Sequence, residues 1–97
     1  MRWVTKSRIR VGRAATAWLI RRFIDPKAEL QFLADESAIE RAIASGAIGF
    51  QVKGARYPHK DASGRTPFEA LVAEYAPNDL ALRRMGRIVR EIGRAHV

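Results

Sequence analysis

Apolar and polar positions along this chain switch between two periods, and each switch marks an element. Residues 2–5 and 29–33 alternate as a strand with one buried face does, and residues 47–52 alternate with Ile48, Phe50 and Val52 on a common side. Between them lie two stretches of helical period. The first runs from Arg13, after a stop at Gly12, to Asp25, where Pro26 ends it because the residue before a proline is pushed out of the helical region. The second opens on Ser37-Ala-Ile-Glu40, the spacing of a capping box, and closes at Ser45-Gly46. A polar stretch over residues 53–65, with Gly54, Pro58 and Gly64, reads as a long loop. Thr66-Pro67-Phe68-Glu69 then starts a helix with a cap hydroxyl, proline at the first helical position and glutamate at the third. Ala76-Pro-Asn-Asp79 breaks that helix and caps a last one from Leu80 to about Gly93. The pattern predicts an α/β fold for residues 1–97 as a single domain: a small three-stranded sheet in the order β-α-β-α-β, followed by two C-terminal helices.

The first helix is unusual because its apolar residues occupy nearly every angular sector. Trp18, Leu19 and Phe23 make one wall and Ala17, Ile20 and Ile24 another, so the pattern predicts burial on all sides. Three arginines nevertheless sit in it, Arg13, Arg21 and Arg22. Arg13 and Arg21 are eight residues apart with Ala17 midway, an arrangement that would hold two cations over a shallow notch. A buried guanidinium needs carboxylates, carbonyls or a bound anion. These three arginines are therefore the first candidates for an anion site.

Charge strengthens that reading. Eighteen Lys and Arg stand against ten Asp and Glu, a formal net charge of +8, so the field draws anions. Most of the cations are arginines, whose planar fork suits phosphate, sulfate-like and carboxylate groups. With 47% hydrophobic residues the chain is globular rather than disordered. It has no cysteine, which removes disulfides, thiolate metal sites and thiol chemistry together. No apolar run spans a bilayer and the first residues lack the apolar stretch of a signal peptide, so the expected location is cytoplasmic. A chain this short with many large apolar residues also makes a homodimer an expectation.

Two other groups of side chains carry chemistry. The long loop brings His59 and Asp61 close to Glu69 at the start of the next helix, a His/carboxylate set for which a transition metal is the alternative occupant. The other imidazole in the chain is His96. On the last helix, Ala81, Met85, Ile88, Val89 and Ile92 form an apolar stripe, opposite which Arg83, Arg87, Arg90 and Arg94 recur at a spacing that could follow a phosphate backbone. Nucleic acid is thus a second partner class, although no aromatic residue interleaves the stripe. Phosphate-loop and dinucleotide fingerprints are missing, and no nucleophile lies beside a histidine in sequence.

The run Arg13 to Pro26, and within it Trp18-Leu-Ile-Arg-Arg-Phe-Ile-Asp25, resembles the C-terminal domain of the bacterial chromate resistance regulator B family, also labelled the chromate resistance exported protein family. Trp3-Val4-Thr5, Gly46-Ala-Ile-Gly-Phe50, His59 and Phe68-Glu69 extend the likeness over almost the whole chain. The family pattern has an aspartate where this chain has Gly12, often a cysteine at Thr16, an acidic residue at Gln51 and a glycine at Pro58. The resemblance implies a regulatory or ligand-sensing module rather than an enzyme, with His59 and Glu69 at matching site positions. From the residues alone the ligand is a small oxyanion, and sulfate and phosphate fit as well as chromate. Only the resemblance supplies chromate. A metal-dependent enzyme built on His59, Asp61 and Glu69 is the remaining alternative.

Overall fold

The computed structural model describes residues 1–95, so His96 lies outside the described residues. Three parallel strands form one sheet in the order β2-β1-β3, where β1 is Arg2–Lys6, β2 Glu29–Leu33 and β3 Ile48–Gly49. Parallel neighbours need crossovers. A helix, α1 (Val11–Leu19), lies between β1 and β2, and α2 (Glu36–Ala44) between β2 and β3. The strand at the centre is apolar on both faces, as a covered parallel strand must be: Trp3, Val4 and Thr5 are all fully buried.

Successive side chains of β1 point to opposite faces and join different clusters. Trp3 packs with Leu19, Ile20, Phe50, Phe68 and Leu71 on the side covered by α1, α3 (Pro67–Tyr75) and α4 (Leu80–Ala95). Val4 meets Ile39, Ala47 and Val52 on the side of α2. The sequence expectation of an α/β domain with two terminal helices holds, and none of the described helices is long and apolar enough to cross a membrane.

Local chemistry corrects three expected details and bears out a fourth. The third strand is two residues long rather than six, because Gln51 adopts φ 56° and turns the chain out of extended geometry; Phe50 makes one further bridge to Tyr57. The cap of α2 is Asp35, whose carboxylate accepts from the Ser37 N–H at 2.9 Å, so Ser37 is already inside the first turn. The capping box expected at Thr66 and Glu69 is present, with Pro67 in the first helical position. On α4 the inward residues are Leu82, Gly86 and Val89, whereas Ile88 and Ile92 are 59% and 39% exposed. Gly86 sets that rotation. A Cβ there would lie 3.2 Å from the Phe68 ring, so a bare backbone is what lets α4 close on α3.

The helix predicted to be buried all round is not. It begins at Val11, not after Gly12, and buries Arg13, Thr16 and Leu19 together with Ile20, while Trp18 and Phe23 are 44% and 48% exposed. Those two rings cover each other edge to face at 5.4 Å, and the Arg22 guanidinium lies over Phe23. Residues Ile20–Ile24 widen into a π-helical turn in which the Asp25 N–H donates to the carbonyl of Ile20. Widening the last turn changes the angle at which later residues project. Arg13 and Arg21 therefore do not flank one notch.

Candidate functional site

Arg13 enters the core from the first turn of α1 and is only 6% exposed. Its Nε donates to the Thr5 hydroxyl at 2.8 Å, Nη1 to the carbonyl of Arg8 and Nη2 to the carbonyl of Gln51 at 2.7 Å. Thr5 in turn donates to the Phe50 carbonyl at 2.7 Å. Every partner is neutral. The hydrogen bonds are satisfied while the positive charge is left uncompensated, and desolvation, then the nearby charge of Arg10, holds the Arg13 pKa below its ordinary value.

That charge stands at the wall of a cleft of about 630 Å³ lined by Lys6, Arg8, Arg10, Gly12, Gln51 and His59, with Gly93 of α4 opposite. Among the described residues no carboxylate lines it. The helix end facing it adds to the field, because Arg10 at the cap position makes no side-chain cap bond and the first turn carries no acid. Among the described residues, Arg8, Arg10, Arg13 and Lys60 lie within ion-pairing distance of no carboxylate. Lys6 has one partner, Glu36, at 2.9 Å on an exposed edge. The His59 ring stays open to solvent on one side; desolvation on the other, then the charges of Arg13 and Lys6, pulls its pKa below 6.5.

A second recess of about 280 Å³ shares Gly12, Gln51, His59 and Gly93 with the first. Its floor is Thr16, Phe68 and Val89, and its rim carries Lys60, Arg90 and Arg94. Gly12, Thr16 and Gln51, three of the four positions at which the sequence is expected to depart from the family pattern, meet here. The Thr16 hydroxyl donates to the Gly12 carbonyl at 2.7 Å and lies 3.3 Å from the Gln51 side chain, and a Cβ on Gly12 would lie 3.0 Å from Gln51 Nε2. A glycine, a hydroxyl and an amide thus meet on this wall, with no carboxylate or thiol among the three.

Of the residues singled out from sequence, Arg13 and His59 line the cleft together. Arg21 and Arg22 do not. Both are exposed, Arg21 donating to the Ala28 carbonyl at 2.6 Å and Arg22 resting on Phe23. Asp61 is spent on its own loop, accepting from the Arg65 backbone and side chain, contacts that hold its carboxyl below the usual range. Glu69 caps α3 through the Thr66 N–H and pairs with Arg90 at 3.4 Å. Among the described residues no three His, Cys, Asp or Glu side chains come close enough to hold a metal. Arg90, expected on the solvated face of α4, is turned inward to Glu69 and the Gly64 carbonyl, whereas Arg83, Arg84 and Arg87 line a separate groove with Arg65. Lys6, Arg8 and Arg10 were not among the residues singled out from sequence. Their signal was there: cations at alternate positions of an extended segment project to one side.

Comparison with known proteins supplies the family. The model of the family described as ChrB, C-terminal domain, matches residues 3–96. The chain is 39% identical over 88 residues to Protein ChrB of Cupriavidus metallidurans, an overlap covering 90% of this chain and 25% of that protein. The chain therefore spans about a quarter of the length of the curated relative it matches. No solved structure matches it.

Proposed function

This chain belongs to the ChrB C-terminal domain family, which is related to chromate resistance, and from that premise we propose that it is a sensing module that holds a tetrahedral oxyanion in its basic cleft. The observation that carries the proposal is a cleft wall with Lys6, Arg8, Arg10, Arg13 and His59 and, among the described residues, no carboxylate. Such a concentration of like charge costs free energy in the empty protein, and a dianion relieves it. Arg13 is already anchored by three oxygens and contributes fixed charge, while the exposed Arg8 and Arg10 are free to close as bidentate forks on the ligand. His59 stands beside them as a donor once protonated. The chain carries no thiol for a bound chromate to oxidise, so the role supported is binding.

Thermal unfolding in chromate, sulfate, phosphate and chloride at matched ionic strength tests this. At ten times its Kd, a ligand that binds only the folded state adds about 1.4 kcal/mol, a rise in midpoint on the order of 6–10 °C for a domain of this size. Arg10→Glu is expected to abolish the rise and Arg21→Ala to leave it intact. Equal midpoints in all four salts would end the oxyanion reading.

A further inference from the structure

The basic cleft is larger than its proposed anion, and its neighbour has a different chemistry. A tetrahedral oxyanion takes the room of roughly two or three waters, at about 30 Å³ each in the liquid. The cleft offers about 630 Å³ and the adjoining recess about 280 Å³. Together they reach the range of sites for small organic ligands. The recess floor is apolar and rigid: Phe68 is 1% and Val89 8% exposed, both held in the packed layer between α3 and α4. Polar groups are at its sides, with Thr16, Gln51 and Thr66 offering hydroxyls and an amide, and with Arg90, whose buried Nε donates to no acceptor among the described residues.

Gly93 lines both spaces, together with Gly12, Gln51 and His59. A Cβ built there meets nothing within 4 Å, so close packing does not require a glycine at this point of the shared lining. In a helix interior, glycine is less favourable than alanine by about 1 kcal/mol.

Resting on the oxyanion reading of the basic end, we propose that the joined cleft binds an organic anion, with its phosphate or sulfate group among Arg8, Arg10 and Arg13 and its apolar body on the Phe68 and Val89 floor. Gly93 keeps the passage open. Apolar contact supplies the preference over the bare ion, since surface removed from water on that floor stabilises the complex in proportion to its area.

Isothermal titration of the full chain with phenyl phosphate and with inorganic phosphate measures the preference. Phenyl phosphate is expected to bind about tenfold more tightly to the wild type. Gly93→Leu should bring that ratio to within about twofold while leaving inorganic phosphate unchanged, and Gly93→Ala should give an intermediate ratio. Circular dichroism should show both variants folded, as substitution into open space predicts. Equal affinities in the wild type overturn the inference and leave the oxyanion proposal standing. A preference that survives Gly93→Leu also overturns it, as does loss of both ligands in that variant. Failure of phenyl phosphate alone to bind overturns the inference only, and failure of both anions to bind removes both readings.

Discussion

Arg13 shows how one side chain can be satisfied and still be active. Three neutral oxygens take its N–H groups, yet among the described residues no carboxylate pairs with its charge. Thr5 is the part of this arrangement that a mutation can remove cleanly, being fully buried between the guanidinium and the Phe50 carbonyl. Thr5→Val keeps the shape and leaves a buried charged donor without its acceptor. It is expected to cost about 1–3 kcal/mol in urea unfolding, and Thr5→Ser much less. His59 supplies a second measurement. Its pKa in the folded chain lies below 6.5, so in the window between the two values the unfolded chain binds more protons and stability rises with pH. Stability is therefore expected to fall as pH drops through about 6.5, and His59→Gln should flatten that part of the profile. Saturating sulfate should shrink the loss as well, because a neighbouring anion favours the imidazolium. A slope of the opposite sign would mean that the folded chain favours the imidazolium, against both the desolvation and the cations around it.

Among the elements, two of the capped helices, α2 and α3, differ in a way that mutation can separate. In α2 the oxygen that covers the first turn belongs to Asp35, and Ser37 offers only its backbone N–H. Asp35→Ala should cost about 1 kcal/mol, whereas Ser37→Ala should stay within about 0.5 kcal/mol. The reverse order would restore the cap read from the Ser-x-x-Glu spacing. In α3 the same box does form, and its glutamate also receives Arg90 from α4. Glu69 thus joins the start of one helix to the face of another, a duty that leaves little of its carboxylate for a metal. Helix α1 presents the contrasting case, since it has no side-chain cap and its first turn faces the basic cleft. An anion would do for it what Asp35 does for α2.

Across the whole molecule the excess of eight positive charges is not spread evenly. One group lines the cleft beside α1, and a second, Arg65, Arg83, Arg84 and Arg87, lines the groove between α3 and α4. General repulsion and specific occupancy can be told apart by their salt dependence. Chloride should raise the unfolding midpoint slowly and without saturation by screening, whereas sulfate should add a saturating increment. Arg87→Glu is expected to leave that increment unchanged, since the residue lies in the other groove, while Arg10→Glu should remove it. If Arg87→Glu removed it instead, the anion would sit between α3 and α4.

Much of this architecture follows from local rules. Alternation located the strands, Thr66-Pro67-Phe68-Glu69 started α3 where its hydrogen bonds say it should, and the charge balance pointed to anions. The run from Trp18 to Asp25 also carried the family. Rotation of α1 could not be read, because a helix apolar in every sector has no preferred inward face; packing under Thr5 and Gln51 chose Arg13 for the interior, and the widened turn at Ile20–Ile24 put Arg21 elsewhere. Gln51 shortened the third strand through a backbone angle that its side-chain pattern does not reveal. The cleft itself is the extreme case: Arg10, His59 and Gly93 are far apart along the chain and become neighbours only when a parallel sheet and the last helix close around α1. Periodicity reports which residues avoid water, a property each short segment settles alone. Which charges then face one another depends on contacts between segments, and those exist only in the folded chain.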